Sequence, residues 1–352
     1  MTPWLLHLLA CGSPPPLAAD LSIDEVLLGQ TATVPLVLDG APVQARQTTV
    51  IADRGAALRV TLAPESGFEP RRVRVVAEGL DADGWPVELD AQALDVGAEG
   101  AELTLELDAD SVTSTAAIRV SVFEVDGVSR GEAGSARRPA DRFLSLDAQA
   151  VPPLELVLVP LRFNDVAPEL DDAALAELEA ALLRFIPTSQ VLLSVHPDGM
   201  ERDGGVRDSE DLAEEVYALG ALHQAEGAAP SVLYYGLYSA SDGAGLAGGM
   251  DFQPELRAAV GPWEGSARNH KTMAHELGHL LGAMHTPSCG PDSVDPGFPD
   301  EEGAVGIATW DPIAQVWLPP ETPDLMGYCE DSATSPYTAQ RLVDGLRYWE
   351  AR

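Results

Sequence analysis

Three histidines and a glutamate stand close together in residues 275–285, which read HELGHLLGAMH. In a helix, positions four apart share a face, so His275 and His279 can turn their ring nitrogens toward one metal ion. Glu276 projects beside that face, where a carboxylate can take a proton from a polarised water. Met273, Leu277, Leu280 and Leu281 are apolar and would seat the helix on a core. Gly282 can take a positive φ, end the helix and turn the chain back. His285 then returns as a third ligand. Three neutral imidazoles with one position left open describe a catalytic zinc (Zn2+) site rather than a structural one. With this chain's residue frequencies, the five fixed residues of the pattern would arise by chance on the order of once in 10⁵ such chains. The other histidines need no role: His7 is near the start, His196 and His223 are isolated, and His270 lies off the ligand face.

The string fills every fixed position of His-Glu-x-x-His-x-x-Gly-x-x-His, and over residues 151–352 the chain resembles the metzincin zinc metallopeptidases. The resemblance implies a turn beneath the metal that carries a methionine. Asp324-Leu325-Met326-Gly327-Tyr328-Cys329 offers it, with Met326 as the methionine. Tyr328 resembles the tyrosine that, in the astacin and serralysin branches, binds zinc or hydrogen-bonds the transition state. Metzincins bind extended peptide along an edge strand. Gly245, Leu246, Ala247, Gly248 and Gly249 are placed like that strand, and their glycines would let a substrate backbone come close. Exported bacterial metzincins with a β-rich N-terminal region are closest in texture. They carry a half-cystine just beyond each zinc element, here Cys289 and Cys329. The gluzincins compete, but their third ligand is a distant glutamate, which His285 makes unnecessary.

The elements that must position these residues fall into two regions. Residues 20–150 read as all-β: alternating or apolar runs at 32–38, 57–62, 72–77, 101–107 and 117–123 are separated by turns such as Asp39-Gly40, Asp83-Gly84 and Asp126-Gly127. That spacing suggests a sandwich, immunoglobulin-like in type. Residues 128–141 are polar and glycine-containing and read as a linker or exposed loop. From 151 the texture is α/β, the mixed-sheet catalytic domain that the resemblance implies. Strands are expected at 154–160, 191–195 and 231–238, and helices at 171–185 and 209–226. Leu175, Leu178, Leu182 and Phe185 make one apolar face.

Residues 1–19 form the third region. The first ten are mostly apolar and lead into Leu8-Leu9-Ala10-Cys11, which resembles a bacterial lipobox; Ser-Pro-Pro-Pro then suits an extended tether. Export follows, with Cys11 lipidated and the membrane reached only through that anchor. No run approaches the ~18 apolar residues of a spanning helix. With Cys11 assigned, Cys289 and Cys329 are an even pair, which in an exported chain reads as a disulfide.

The 352 residues carry 21 Lys+Arg against 56 Asp+Glu, a formal charge of −35, and Lys271 is the only lysine. Such a field repels phosphate, so nucleic acid and anionic membrane surfaces are excluded as partners. The acidic segment 292–303 has carboxylates that could hold calcium (Ca2+), but its spacing matches no EF-hand loop and reads as a solvated loop. The combined expectation is a monomeric, exported zinc endopeptidase acting on protein or peptide. His275, His279 and His285 hold zinc, Glu276 moves the proton, and Tyr328 supports the oxyanion. Two alternatives stay open: a surface-anchored binding module with a vestigial metal site, and a metallopeptidase restricted to glycoproteins or cell-wall peptides.

Overall fold

The computed structural model describes residues 15–131, 134–202, 205–240, 243–248 and 256–352. It is a multi-sheet, β-rich protein with four α-helices among the described residues. It divides into two compact units: the described part of Met1–Gly29 with Val34–Arg46 and Gly55–Ala148, and Gln30–Thr33 with Gln47–Arg54 and Gln149–Arg352.

The first unit holds two sheets. One runs in the order β3 (Ala41–Pro42), β2 (Thr33–Leu38), β1 (Leu21–Gly29), β4 (Ala56–Pro64), β7 (Ala101–Leu107). The other runs β10 (Leu144–Ser145), β8 (Ala117–Glu124), β5 (Arg71–Leu80), β6 (Pro86–Val96), with β9 (Arg137–Arg138) also on β8. The central strands β4 and β5 are antiparallel to both their neighbours. Alternation decides which side is buried: Leu58, Val60 and Leu62 of β4, and Ile118, Val120 and Val122 of β8, point inward at every second residue. Two strands lie outside the runs expected from the sequence. β6 (PVELDAQALDV) is an edge strand that alternates apolar and polar residues from Val87 to Ala93, yet only Val96 is fully buried. β1 breaks its alternation at a register shift between Ile23 and Glu25. The polar segment 128–141 belongs to this unit, contributes β9 and buries Ala136.

The second unit is built on one mixed sheet, ordered β12 (Val191–Val195), β11 (Leu154–Phe163), β14 (Val232–Ser239), β16 (Ala258–Trp263), β15 (Leu246–Ala247). The first four are parallel, and β13 (Met200–Arg202) adds parallel to the far end of β11. β15 is antiparallel and forms the edge. Parallel strands need crossovers, supplied by α1 (Asp172–Phe185) and α2 (Ser209–Glu226). Asp171 caps α1 by accepting from Ala174 N at 2.8 Å, and Gly227 ends α2 at φ 65°.

Both sheet faces are covered. Leu154, Leu156 and Leu158 of β11 point to a core shared with α1, α3 (Ala267–Leu280) and α4 (Pro336–Glu350). Val159 and Leu161 point the other way, to Leu212, Val216 and Leu219 of α2. β16 (AAVGPW) is buried throughout, and its Gly-Pro reads locally as a turn. Helix α4 starts at Ser335, which accepts from Thr338 N at 3.1 Å, with Pro336 in the first turn. A short hairpin, β17 (Thr309–Asp311) and β18 (Val316–Leu318), completes the unit. The segment 47–54 belongs here through Arg54, whose Nη1 reaches Ile186 O at 3.1 Å and Thr188 O at 2.7 Å.

Helix α4 meets the end of α3 backbone to backbone. A Cβ on Gly345 would lie 1.9 Å from Leu281 O. Helix propensity alone favours Gly345→Ala by about 1 kcal/mol. The packing opposes it, because a main-chain oxygen cannot move aside as a side-chain tip can. Gly345→Ala is expected to lower the unfolding free energy by about 2 kcal/mol or more, against the sign of propensity. Denaturant titration of the two proteins checks this.

Candidate metal centre

Helix α3 begins with a capping box. Ser266 accepts from Asn269 N, and the Asn269 side chain accepts from Ser266 N. It ends where Gly282, at φ 95°, turns the chain. Gly282 N donates to His279 O at 3.0 Å and Ala283 N to Gly278 O at 2.9 Å, the paired bonds of a Schellman cap. The turn carries the chain back so that His285 faces His275 and His279.

The three side chains converge through their Nε2 atoms. His279 Nε2 lies 3.2 Å from His275 Nε2 and 3.1 Å from His285 Nε2. Each Nδ1 donates to a main-chain carbonyl: His275 to Leu325 O at 3.0 Å, His279 to Ala283 O at 2.9 Å, His285 to Asp292 O at 2.8 Å. A neutral imidazole has one N–H. With that N–H on Nδ1, each Nε2 presents a bare lone pair, and three lone pairs meet at one point. A cation is the natural occupant. Metal–nitrogen bonds of about 2.0–2.1 Å in a tetrahedral arrangement place ligand atoms about 3.3–3.4 Å apart, close to the spacing seen. Burial, and then the neighbouring His279, hold the His275 pKa well below its ordinary value, which keeps that ring neutral. Among the described residues these three are the one group of His, Cys, Asp or Glu side chains placed to hold a metal ion.

The turn at 324–327 lies against the helix. Met326 is fully buried. Gly327 N closes the turn on Asp324 O at 3.1 Å, and the buried Asp324 carboxylate accepts from Met326 N at 2.8 Å and Ser335 N at 2.9 Å. The same turn supplies Leu325 O to His275, so it sets the tautomer of the first ligand. It is joined to the chain after His285: Thr286 N donates to Met326 O at 3.1 Å, and Tyr328 N to Ser288 O at 3.0 Å. The next residue pair is Cys289–Cys329, a disulfide with Cα atoms 5.3 Å apart. Tyr328 is half exposed, and its ring stands 5.1 Å from that of His285.

The three histidines, Glu276 and Tyr328 line an open cleft of about 900 Å³. One side is the 243–247 segment with β15, where Leu246 and Ala247 form the strand. Gly248 N donates to Ala258 O at 2.9 Å, and Gly249 lies outside the described residues, as does Cys11. A Cβ on Gly245 would stand 2.5 Å from Glu276 Cγ and 2.7 Å from its Oε1, so the glycine lets Glu276 pack against this strand. Glu276 is buried against this strand, and burial pushes its carboxyl up to about 8, with Lys271 pulling the other way.

Two site residues escaped the sequence reading. Asp324 organises the turn through backbone contacts that no spacing announces. Lys271, on the cleft wall, donates from Nζ to Gly327 O at 2.8 Å. Its signal was present, since the only lysine stands four residues before His275. In the acidic segment 292–303 two carboxylates are taken up by hydrogen bonds. Asp295 accepts from Gly297 N at 2.8 Å and Tyr337 OH at 2.9 Å, and Asp300 from Glu302 N and Ala304 N. His196 faces Glu226, and His223 meets Ala229 O and Val232 O. His270 is buried beside Trp263.

The fold and site define a two-unit, β-rich chain whose second unit holds a three-histidine centre able to bind a metal ion. No protein-family model matches the chain, and comparison with curated proteins gives no match. No helix among the described residues is long and apolar enough to cross a membrane.

Two outcomes follow for the purified protein. His285→Ala is expected to lower metal occupancy sharply at micromolar zinc, because two imidazoles replace three; elemental analysis reads it. In chelated protein the folded Glu276 carboxyl titrates near 8 against an ordinary 4.5. A raised folded pKa stabilises the fold fully below the unfolded value, and that stability is lost as pH rises through the folded one. Glu276→Gln cannot ionise, so its melting temperature should climb relative to wild type between pH 5 and pH 8 in chelator. A constant difference would mean the carboxylate is solvated.

Proposed function

We propose that the chain is an exported zinc-dependent endopeptidase whose second unit is a metzincin-type catalytic domain and whose first unit is an immunoglobulin-like sandwich. The observation that carries the reading is the convergence of three tautomer-locked Nε2 atoms beside Glu276 in an open cleft. The antiparallel edge strand along that cleft supports a peptide substrate, since an extended chain can add to a sheet edge through main-chain hydrogen bonds. The buried Met326 under α3 and the third ligand at His285 fit the metzincin arrangement. The Cys289–Cys329 bridge supports an oxidising compartment.

The donor set, three neutral imidazole nitrogens, suits zinc. Zinc bound there would supply Lewis acidity for the scissile carbonyl and acidify the attacking water. Glu276 accepts the water proton and passes it to the leaving amine. Its raised pKa matches that double duty, because a carboxyl that holds a proton near neutrality can also return it. Tyr328, at the mouth of the cleft, supports the oxyanion. His275, His279 and His285 stay neutral and orient through their carbonyl partners.

Incubation of the zinc-loaded protein with a mixed peptide library, with and without chelator, tests the reading. Cleavage that chelation abolishes and zinc restores is expected. Glu276→Ala should lower turnover by about 10²–10⁴-fold while zinc content stays at wild-type level. An unreacted library, or a Glu276→Ala protein with undiminished activity, would overturn the proposal.

A further inference from the structure

Lys271 and Arg268 stand on the wall of the cleft, in a chain whose acids outnumber its bases by 56 to 21. Both lie on α3. At about 100° per residue, Lys271 falls about 40° and Arg268 about 20° from the direction of His275. They continue the stripe of the ligands toward the helix N-terminus, about 6 Å and 10 Å along the axis. The first turn of α3 carries no acidic residue.

The charges there are incompletely matched. Lys271 Nζ meets Gly327 O, a neutral acceptor, and an ammonium has three donors. No carboxylate lies within ion-pair distance of it among the described residues. Of the two acids nearest in its field, Glu276 faces Gly245 and Asp324 is taken up by main-chain N–H groups. Arg268 faces Glu330 at 3.7 Å, with both side chains largely exposed, so solvent screens the pair and it holds Arg268 only weakly. Asp292 and Ser293 also line the cleft, with Asp292 O against His285 Nδ1. Glu330 lines it too, so Lys271 and Arg268 leave the side near the start of α3 with one base in excess over its paired acid.

We propose that Lys271 and Arg268 form a carboxylate subsite, so that the cleft selects a peptide with a carboxylate on the side of the scissile bond facing the N-terminal turns of α3. This rests on the peptidase reading above and names its substrate class. The carboxylate is that of an Asp or Glu side chain, or of the peptide's own C-terminus. Half-buried Lys271 sets the preference, and exposed Arg268 extends it.

The test uses peptides that differ only in Asp against Asn at each position flanking the mapped cut, with amidated C-termini, and an Asn peptide that ends there with a free carboxylate. The wild-type zinc protein should prefer Asp by about tenfold or more in kcat/KM at one position. Lys271→Met should bring that ratio near one, and Arg268→Glu, on the exposed rim, should reduce it several-fold without risk to folding. A role limited to holding Gly327 would slow both peptides alike and leave the ratio intact. Preference for the free C-terminus over the internal Asp would assign the same subsite to terminal carboxylates. A wild-type ratio near one, or an acid preference that survives both substitutions, overturns the proposal. If no peptide is cut, the peptidase reading fails by itself. Binding of the same peptides to zinc-loaded Glu276→Gln, followed by fluorescence anisotropy, then decides the subsite: equal or absent binding of acid and amide overturns it.

Discussion

Three imidazole lone pairs aimed at one point are the constraint on which the second unit is organised. Without a cation they repel, and the rings would turn away if they were free to do so. They are held by Nδ1–H donation to three carbonyls from three places in the chain: Leu325 in the methionine turn, Ala283 just past the helix, and Asp292 in the loop after His285. Each bond sets a tautomer as well as an orientation. The ligand set is thus preorganised by main chain, and only segments held rigidly against one another can do this. The Asp324 carboxylate, the Thr286 and Tyr328 N–H bonds and the 289–329 disulfide join those segments at successive residues.

Glu276 shows the cost of that arrangement. Burial against Gly245 disfavours the charged carboxylate, so the group holds its proton up to about pH 8 and ionising it below that costs stability. A protein selected for stability alone would avoid such a residue. In the proposed peptidase the burial has a chemical use, since a base in a low-dielectric wall is poised to exchange a proton with a group in the cleft. Lys271 lies near enough to moderate the shift while it meets the cleft wall on its other side. The base and the proposed subsite share one electrostatic environment.

The sheet supplies rigidity behind the site. Parallel strands buried on both faces fix the direction in which α3 crosses, and β16 places the edge strand β15 beside Glu276. Helix α4 closes the layer behind α3. At Gly345 it approaches the main chain at the end of the metal-centre helix so closely that a Cβ there would stand 1.9 Å from Leu281 O.

Much of this was legible in local spacing. The i, i+4 histidines, Gly282 at its turn, the amphipathic helix at 171–185, the helix at 209–226 and the pairing of Cys289 with Cys329 all follow from periodicity, turn chemistry or counting. The elements that escaped did so for physical reasons. β16 is buried on both faces and carries Gly-Pro, so neither alternation nor composition marks it. β6 alternates at Val87, Leu89, Ala91 and Ala93, but it is an edge strand with only Val96 fully buried, and its pattern rests largely on small residues. Helix α4 had a legible start in Ser335-Pro336, and that signal went unread. The sequence by itself determined which side chains could bind a metal and move a proton, because helical periodicity ties residue type to a shared face. Only the tertiary structure decided which carbonyls fix the tautomers, which strand Glu276 leans on and where the lone lysine's charge is spent. Those contacts run through main-chain atoms common to every residue, and no side-chain pattern encodes them.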